Sequence, residues 1–421
     1  MNKVRKYIIK ITCFSKNCRR FIFSNAMLGF GISSIEVFLG LYFLALGFRE
    51  DFIGTYYAVS TGTSALLLLL MGRLSDKIGR VASFYLTIAG HLTGYSLLFF
   101  FQSRTAIFFC AFLNGASTAL RACTSAPFLH ENSKPAERDY VFSASASYLL
   151  IGSMFGNVFG GYLPIALLNI SPSFAAGAGA AYRYSILISM FLILFSIFPL
   201  YGIPARTQDG FSGIKSPFGA ADLNHAPAKE RRSYTKFIIY TFFIGCGAGL
   251  IIPFFNVYFA RKFGMNSGQI GVIFMCANVL TAVSMLLTPL LSAKYGKIHA
   301  IVFMEIASLP FLLILGFSSS LELCIMSYLA RNVLMNMNNP VFTGYLMDRT
   351  SERDRGRVNS AVTLGDNFSR TLSTYVSGRL MSDHGVSLPY VLTAMFYAFA
   401  AIYAYISFAR FDKPPKKAIA E

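Results

Sequence analysis

The chain has 421 residues, of which 55% are hydrophobic and only 13% charged, with a formal net charge of +18. A mean hydropathy of +0.54 is too apolar for an ordinary soluble protein of this length. The positive charge by itself would fit a nucleic-acid binder, but its placement along the chain excludes that reading, as the loops show below.

A bilayer core takes roughly 20 apolar residues per helical span. On that rule the sequence predicts an all-α membrane protein of about twelve spans. They fall at Phe21–Leu46, Phe52–Leu74, Val81–Phe101, Thr105–Leu129, Tyr140–Leu167, Tyr182–Ile203, Thr235–Ala260, Gly268–Leu291, Ala300–Phe317, Leu321–Met347, Val358–Met381 and Ser387–Phe408. A basic segment, 1–20, precedes them, and Tyr7–Ile11 within it is too short and interrupted for a signal core. Lysine and arginine crowd this segment, the tail 411–421 and the loops after even-numbered spans, among them Arg73, Lys134, Arg206, Lys294 and Arg353. The opposite loops hold Arg49, Arg104, Arg183, Arg261 and Lys262. That asymmetry is the positive-inside pattern. It places both termini in the cytoplasm, predicts a plasma (inner) membrane protein, and explains the charge without nucleic acid.

The chain also repeats itself at an offset of about 217 residues. Gly29-Phe30-Gly31 matches Gly245-Cys246-Gly247, Ile53-Gly54 matches Ile270-Gly271, and Leu74 to Arg80 matches Leu291 to Lys297. Two bundles are expected from this, 21–203 and 235–410, pseudo-symmetric and six helices each, around a cytoplasmic linker at 204–234 rich in Gly, Pro and charge. Residues Ile170 to Ala181 form the external loop between spans five and six. Most of the seven cysteines lie in spans and behave as small hydrophobes; neither a disulfide framework nor a metal-ligand cluster is visible.

Between spans two and three stands Gly72-Arg-Leu-Ser-Asp76-Lys77-Ile-Gly79-Arg80, read as a tight charged loop. It resembles the signature loop of the major facilitator superfamily, and the resemblance extends over the whole chain through the repeat. It implies a transporter of two six-helix halves working by alternating access. It also implies that Asp76 meets the amino-terminal end of span eleven as a cytoplasmic latch, where helix-end N–H groups favour a carboxylate. Gly72 and Gly79 would permit close approach and unusual dihedrals, Lys77 and Arg80 supply charge, and Arg80 has Glu131 as its expected partner. The second copy has Ala293 in place of Asp76, so the latch is expected on one side only.

Ionisable residues inside spans are costly, so a function or a partner is the default expectation for each. Glu36 lies mid-span in the first helix, with Arg121 and Arg331 as candidate partners. Asp366 and Arg370 stand at the i,i+4 spacing that lets them neutralise each other. His91 sits mid-span in the third helix, and Glu305 a third of the way into the ninth, where water from the cytoplasm is expected to reach it. Glu36, Asp366 and His91 are the proton-coupling candidates, since a carboxylate that alternates between water and a drier environment can bind and release a proton. Packing is the competing reading for His91, and an intrahelical pair for Asp366.

Span five carries Gly152, Gly156, Asn157, Gly160 and Gly161, similar to the glycine motif of the drug/proton antiporter branch. Small-xxx-small spacing equally lets membrane helices pack closely. Asn157 replaces the branch's proline, and Ala111 stands where its arginine precedes Gly115. Resemblance to the family makes spans one, four, seven and ten line the cavity, which brings Tyr42, Asn114, Asn256 and Asn336 forward as substrate contacts; helix-to-helix hydrogen bonds are the alternative for the asparagines. No phosphate-binding glycine loop is present, which gives no reason to invoke ATP. The expectation is a non-enzymatic, cofactor-free monomer that moves a small molecule together with protons through the lipid bilayer, exporting amphipathic or drug-like compounds. Uptake of a small polar solute such as a sugar or organic acid is the alternative, followed by lipid transport or a non-transporting receptor.

Overall fold

A computed structural model describes residues 14–135, 137–170, 179–204, 228–351 and 354–409. The amino-terminal segment through Cys13, most of the expected linker, the centre of the loop between spans five and six, and the tail fall outside the described residues.

The described chain is helical throughout: α1 Lys16–Ala45, α2 Glu50–Ile78, α3 Arg80–Phe100, α4 Arg104–Asn132, α5 Arg138–Ile170 and α6 Ala180–Phe195. The second repeat follows as α7a Ala228–Ile251 and α7b Phe255–Phe263, then α8 Ser267–Tyr295, α9 Lys297–Phe317, α10 Leu321–Arg349, α11 Arg355–His384 and α12 Ser387–Phe408. These agree with the twelve predicted spans to within a few residues, with two exceptions: α7a starts earlier, inside the expected linker, and α6 stops at Phe195, eight residues before the expected end at Ile203, with a 3-10 turn at Phe198–Leu200 after it. Among the described residues, nine spans are long and apolar enough to cross a membrane by length and composition. The other three are α3, with its Gly, Ser, His and Tyr, and the polar helices α10 and α11.

Two expectations need correction. Gly72 to Arg80 is not a loop: Gly72 to Ile78 complete the last turns of α2, and Gly79 alone makes the turn, at a φ of 87°. A left-handed backbone suits glycine, which has no Cβ to clash. Its repeat mate Gly296 does the same before α9, at a φ of 91°. The seventh span is also not one helix. Pro253 lacks the N–H that an α-helix interior needs, and Ile252–Phe254 tightens into a 3-10 turn between α7a and α7b.

The chain forms two compact units. The first holds Met1–Phe48, Val59–Ser216 and Phe259–Met275, so the start of α8 belongs to it. The second holds Arg49–Ala58, Pro217–Tyr258 and Cys276–Glu421, and so includes the start of α2. In the first, α1 packs against α5 and α6, and α3 against α4 and α6. In the second, α7a packs against α11 and α12, and α9 against α10 and α12. The neighbour relations are the same once the repeat offset is applied. Each unit buries an aromatic cluster near its signature turn. In the first, Phe21, Phe84 and Phe128 have ring centroids 4.7 to 5.3 Å apart. In the second, Phe237, Tyr345 and Phe408 lie 4.8 to 6.0 Å apart. Outward faces expose large apolar side chains such as Leu66, Phe195 and Ile406, as expected where lipid is the solvent.

Candidate functional site: intramembrane charges and the signature turn

At the signature turn, Arg80 is the central group. Its guanidinium contacts Asp76 at 2.7 Å and Glu131 at 3.2 Å, and donates to Ser75 Oγ at 2.9 Å. Ser75 is in turn bonded to Thr124, which ties the end of α2 to α4. Asp76 is held by Arg80 one helical turn along, whereas Lys77 points outward and is exposed. Gly79 and Arg80 line a cleft with Asn17, Phe128, Glu131, Asn132 and Ile203. The second repeat reproduces the outer pair: Lys297 meets Asp348 at 2.6 Å. These are the positions of Arg80 and Glu131 moved on by the repeat offset. Sequence reasoning paired Arg80 with Glu131 but missed Asp348, which the same offset would have found.

Glu36 lies on α1 between the buried Ile35 and Val37. Its own side chain is exposed. Arg121 on α4 is its electrostatic partner, and also donates to Asn25 Oδ1 at 3.3 Å. Asp366 and Arg370 on α11 form an intrahelical ion pair at 2.7 Å, both partly exposed.

His91 is buried, its Nδ1 hydrogen-bonded with Asn114 Oδ1 at 2.9 Å and its ring stacked on Tyr95. Asn114 is buried by the same contact and donates to Cys110 Sγ. Tyr42 is buried and donates to the Leu98 carbonyl at 3.1 Å. Asn256 is buried as well, accepting from the Val257 N–H at 2.8 Å beside the Pro253 break. Of the four substrate-contact candidates only Asn336 keeps partial exposure, on a polar strip where it donates to Asn332 and Asn332 donates to Thr281 of α8. Arg331 is buried, donating to Tyr397 Oη at 2.7 Å, with Phe255 and Tyr397 rings 5.7 Å from its guanidinium carbon.

The span-five glycines act in close packing. Added Cβ atoms on Gly152, Gly156 and Gly160 would run into the backbone carbonyls of Ala26, Phe30 and Ser34, one turn apart along α1. Gly161 faces the other way, toward Ser267 and Gly268, and Ser267 Oγ donates to the Gly161 carbonyl at 2.7 Å. The Asn157 carbonyl lies against Gly271. In the second unit Gly378 of α11 lies against Gly54 and the Glu50 carbonyl of α2.

A duplicated bundle with a charged signature turn and compensated charges along its spans defines a multi-pass membrane transporter. The family model described as Major Facilitator Superfamily matches the chain twice, over residues 21–236 and 237–421. The chain therefore belongs to that superfamily. No curated protein matches it in sequence. Among solved structures, the nucleoside transporter NupG is 15% identical, covering 94% of this chain and 99% of its own, at a TM-score of 0.71. A bacterial homolog of the human lysosomal transporter Spinster, inward-facing and occupied, is 11% identical over 99% of this chain and 100% of its own, at 0.76. A D-xylose-proton symporter is 13% identical, covering 95% and 97%, at 0.70. These likenesses concern the fold.

Proposed function

We propose that the protein is a proton-coupled secondary transporter that works by alternating access and exports small amphipathic molecules. One observation carries the reading: Glu36, mid-span on α1, is exposed and compensated by Arg121. A carboxylate there reaches water in one conformation and can lose that access in another, and its arginine partner stabilises the charged form. Asp366, already neutralised by Arg370, is the secondary candidate, and His91, enclosed with Asn114, is assigned to packing. Arg80 holds Asp76, the cytoplasmic-latch candidate, at the end of α2. Eight of the nine motif positions are helical, all but Gly79, so Asp76 is presented from a rigid helix end.

Reconstituted protein driven by a pH gradient tests this directly, and Glu36→Gln is expected to abolish gradient-driven transport while leaving substrate binding in place. Full retained transport in that variant would remove Glu36 from the mechanism. A second reading, proton-coupled uptake of a small polar solute, is favoured by the strip Asn332–Asn336–Thr281. Loss of uptake, rather than accumulation of a compound, in cells lacking the protein would decide for it.

A further inference from the structure

The second repeat contains a buried acid that the reading above does not use. Glu305 on α9 is fully buried, contrary to the expectation that water reaches it. Its Oε1 accepts from Tyr240 Oη of α7a and from Asn338 Nδ2 of α10, the latter at 2.8 Å. Asn338 Nδ2 also donates to Tyr240 Oη at 3.1 Å, closing a three-residue ring. Two oxygens of this ring have no hydrogen-bond donor: Glu305 Oε2 and Asn338 Oδ1.

An ionised carboxylate is acceptor-only, with about four lone-pair sites; here both donors go to one oxygen. Burying such a charge without full compensation is so costly that the group neutralises instead. No cation contacts Glu305 among the described residues. The titratable group in contact with it is Tyr240, which in turn interacts electrostatically with Tyr397 of α12. Arg331 is committed to Tyr397, and Arg370, paired with Asp366, also acts on Tyr397. The repeat sharpens the contrast. Asn338 occupies the position that Arg121 holds in the first half, so where Glu36 has a guanidinium, Glu305 has an amide.

We propose that Glu305 is a proton-binding site, carrying its proton on Oε2 as a carboxylic acid within the Tyr240–Asn338 ring. The step is simple: one proton adds to the carboxylate to give the acid and leaves to water when α7a, α9 and α10 rearrange. A proton on Oε2 removes the buried charge and turns one of the two donorless oxygens into an O–H group. A sodium ion would need several oxygens turned inward, and Tyr240 Oη is already spent as a donor. Proton binding here stands apart from Glu36; only its use in transport rests on the proton-coupled reading.

Infrared difference spectra of the full chain in liposomes, taken between acidic and alkaline buffer without substrate or gradient, test it. Wild-type protein is expected to show a carboxylic-acid C=O band that disappears in alkali. The band is expected to be missing from Glu305→Gln and to move to higher frequency in Tyr240→Phe, which removes a donor from Oε1 but keeps the acid. Spectra of wild type and Glu305→Gln that superimpose at every pH would overturn the proposal, as would a carboxylate signal that answers to sodium at constant pH. Should Glu305→Gln fail to fold, Tyr240→Phe decides alone: an unshifted band means that the acid lies elsewhere. Because no transport is measured, failure here leaves the Glu36 reading intact, and loss of the Glu36 reading leaves this result standing.

Discussion

The glycine contacts at Gly161 and Gly378 give the sharpest test of conformational change. The two are repeat mates, and so are their partners Gly271 and Gly54. A Cβ added at Gly161 would sit 2.6 Å from the Ser267 carbonyl oxygen, and one at Gly378 2.6 Å from the Glu50 carbonyl oxygen. Ordinary contact begins at 3.4 Å, so each substitution asks for about 0.8 Å of separation from a backbone atom that cannot rotate away. Overpacking of this kind costs about 1–3 kcal/mol. If the contact exists in one transport state and opens in the other, that cost falls on the closed state alone and shifts the equilibrium roughly 5- to 150-fold. Ser267 is buried in the contact, so a cysteine there, in an otherwise cysteine-free chain, reports opening. Gly161→Ala is expected to speed its labelling by an impermeant thiol reagent added from outside, with Gly378→Ala acting in the same direction. Gly344→Ala serves as the control, since an added Cβ there meets nothing nearer than Lys297 Nζ at 3.7 Å. An unchanged labelling rate in Gly161→Ala, or an equal rise in the control, refutes the reasoning.

The two signature turns should differ in strength. Arg80 is 14% exposed and serves two carboxylates, so Arg80→Ala is expected to lower the thermal midpoint, whereas Lys297→Ala removes an exposed pair worth about 1 kcal/mol or less and should barely move it. Equal effects in a melting assay would contradict this. For Asp366 and Arg370, each single neutralisation strands a half-buried charge, so Asp366→Asn with Arg370→Gln should be less harmful than the sum of the two. A double-mutant cycle on the folded fraction is expected to give a coupling of about 0.5–3 kcal/mol, and strict additivity would show that the pair is idle. Arg331→Met keeps the apolar stem but drops the bond to Tyr397 and the aromatic contacts. Expected is a loss of about 1–3 kcal/mol, read as a lower melting midpoint, and an unchanged midpoint would refute it.

Span positions were legible because lipid forces long apolar runs, and the repeat was legible because both halves use the same small residues where helices touch. The pairing of Arg80 with Glu131 followed from the ends of neighbouring spans. What the sequence concealed was orientation. Asn114, Asn256 and Tyr42 share composition with cavity residues, yet their side chains satisfy partners inside the packing: His91, the Val257 N–H and the Leu98 carbonyl. Nothing local in a helix tells which face meets a neighbour when every face is apolar enough for lipid. The seventh span failed as a single helix for a readable reason, Pro253, which hydropathy alone does not weigh. Glu305 was misplaced because depth along a span was used for exposure, while Tyr240 and Asn338 arrive from two other helices.

The repeat also says where the halves have been given different work. At the Gly79 and Gly296 turns, and in the pairs Arg80–Glu131 and Lys297–Asp348, both copies keep the same chemistry, which suits parts that both halves must move alike. At the positions of Asp76 and Ala293, Asn114 and Arg331, and Arg121 and Asn338, the copies exchange charge for neutrality. The last exchange sets the surroundings of the two acids apart: Arg121 compensates Glu36, while Asn338 bonds the buried Glu305 without supplying charge. Had the two acids served only stability, a matched cation beside each would be the cheaper arrangement, since an uncompensated carboxylate in a span raises the free energy of the folded state. Retaining Glu305 against an amide and a phenol therefore argues for a group that changes protonation, and sets the two halves apart in chemistry while their backbones remain alike.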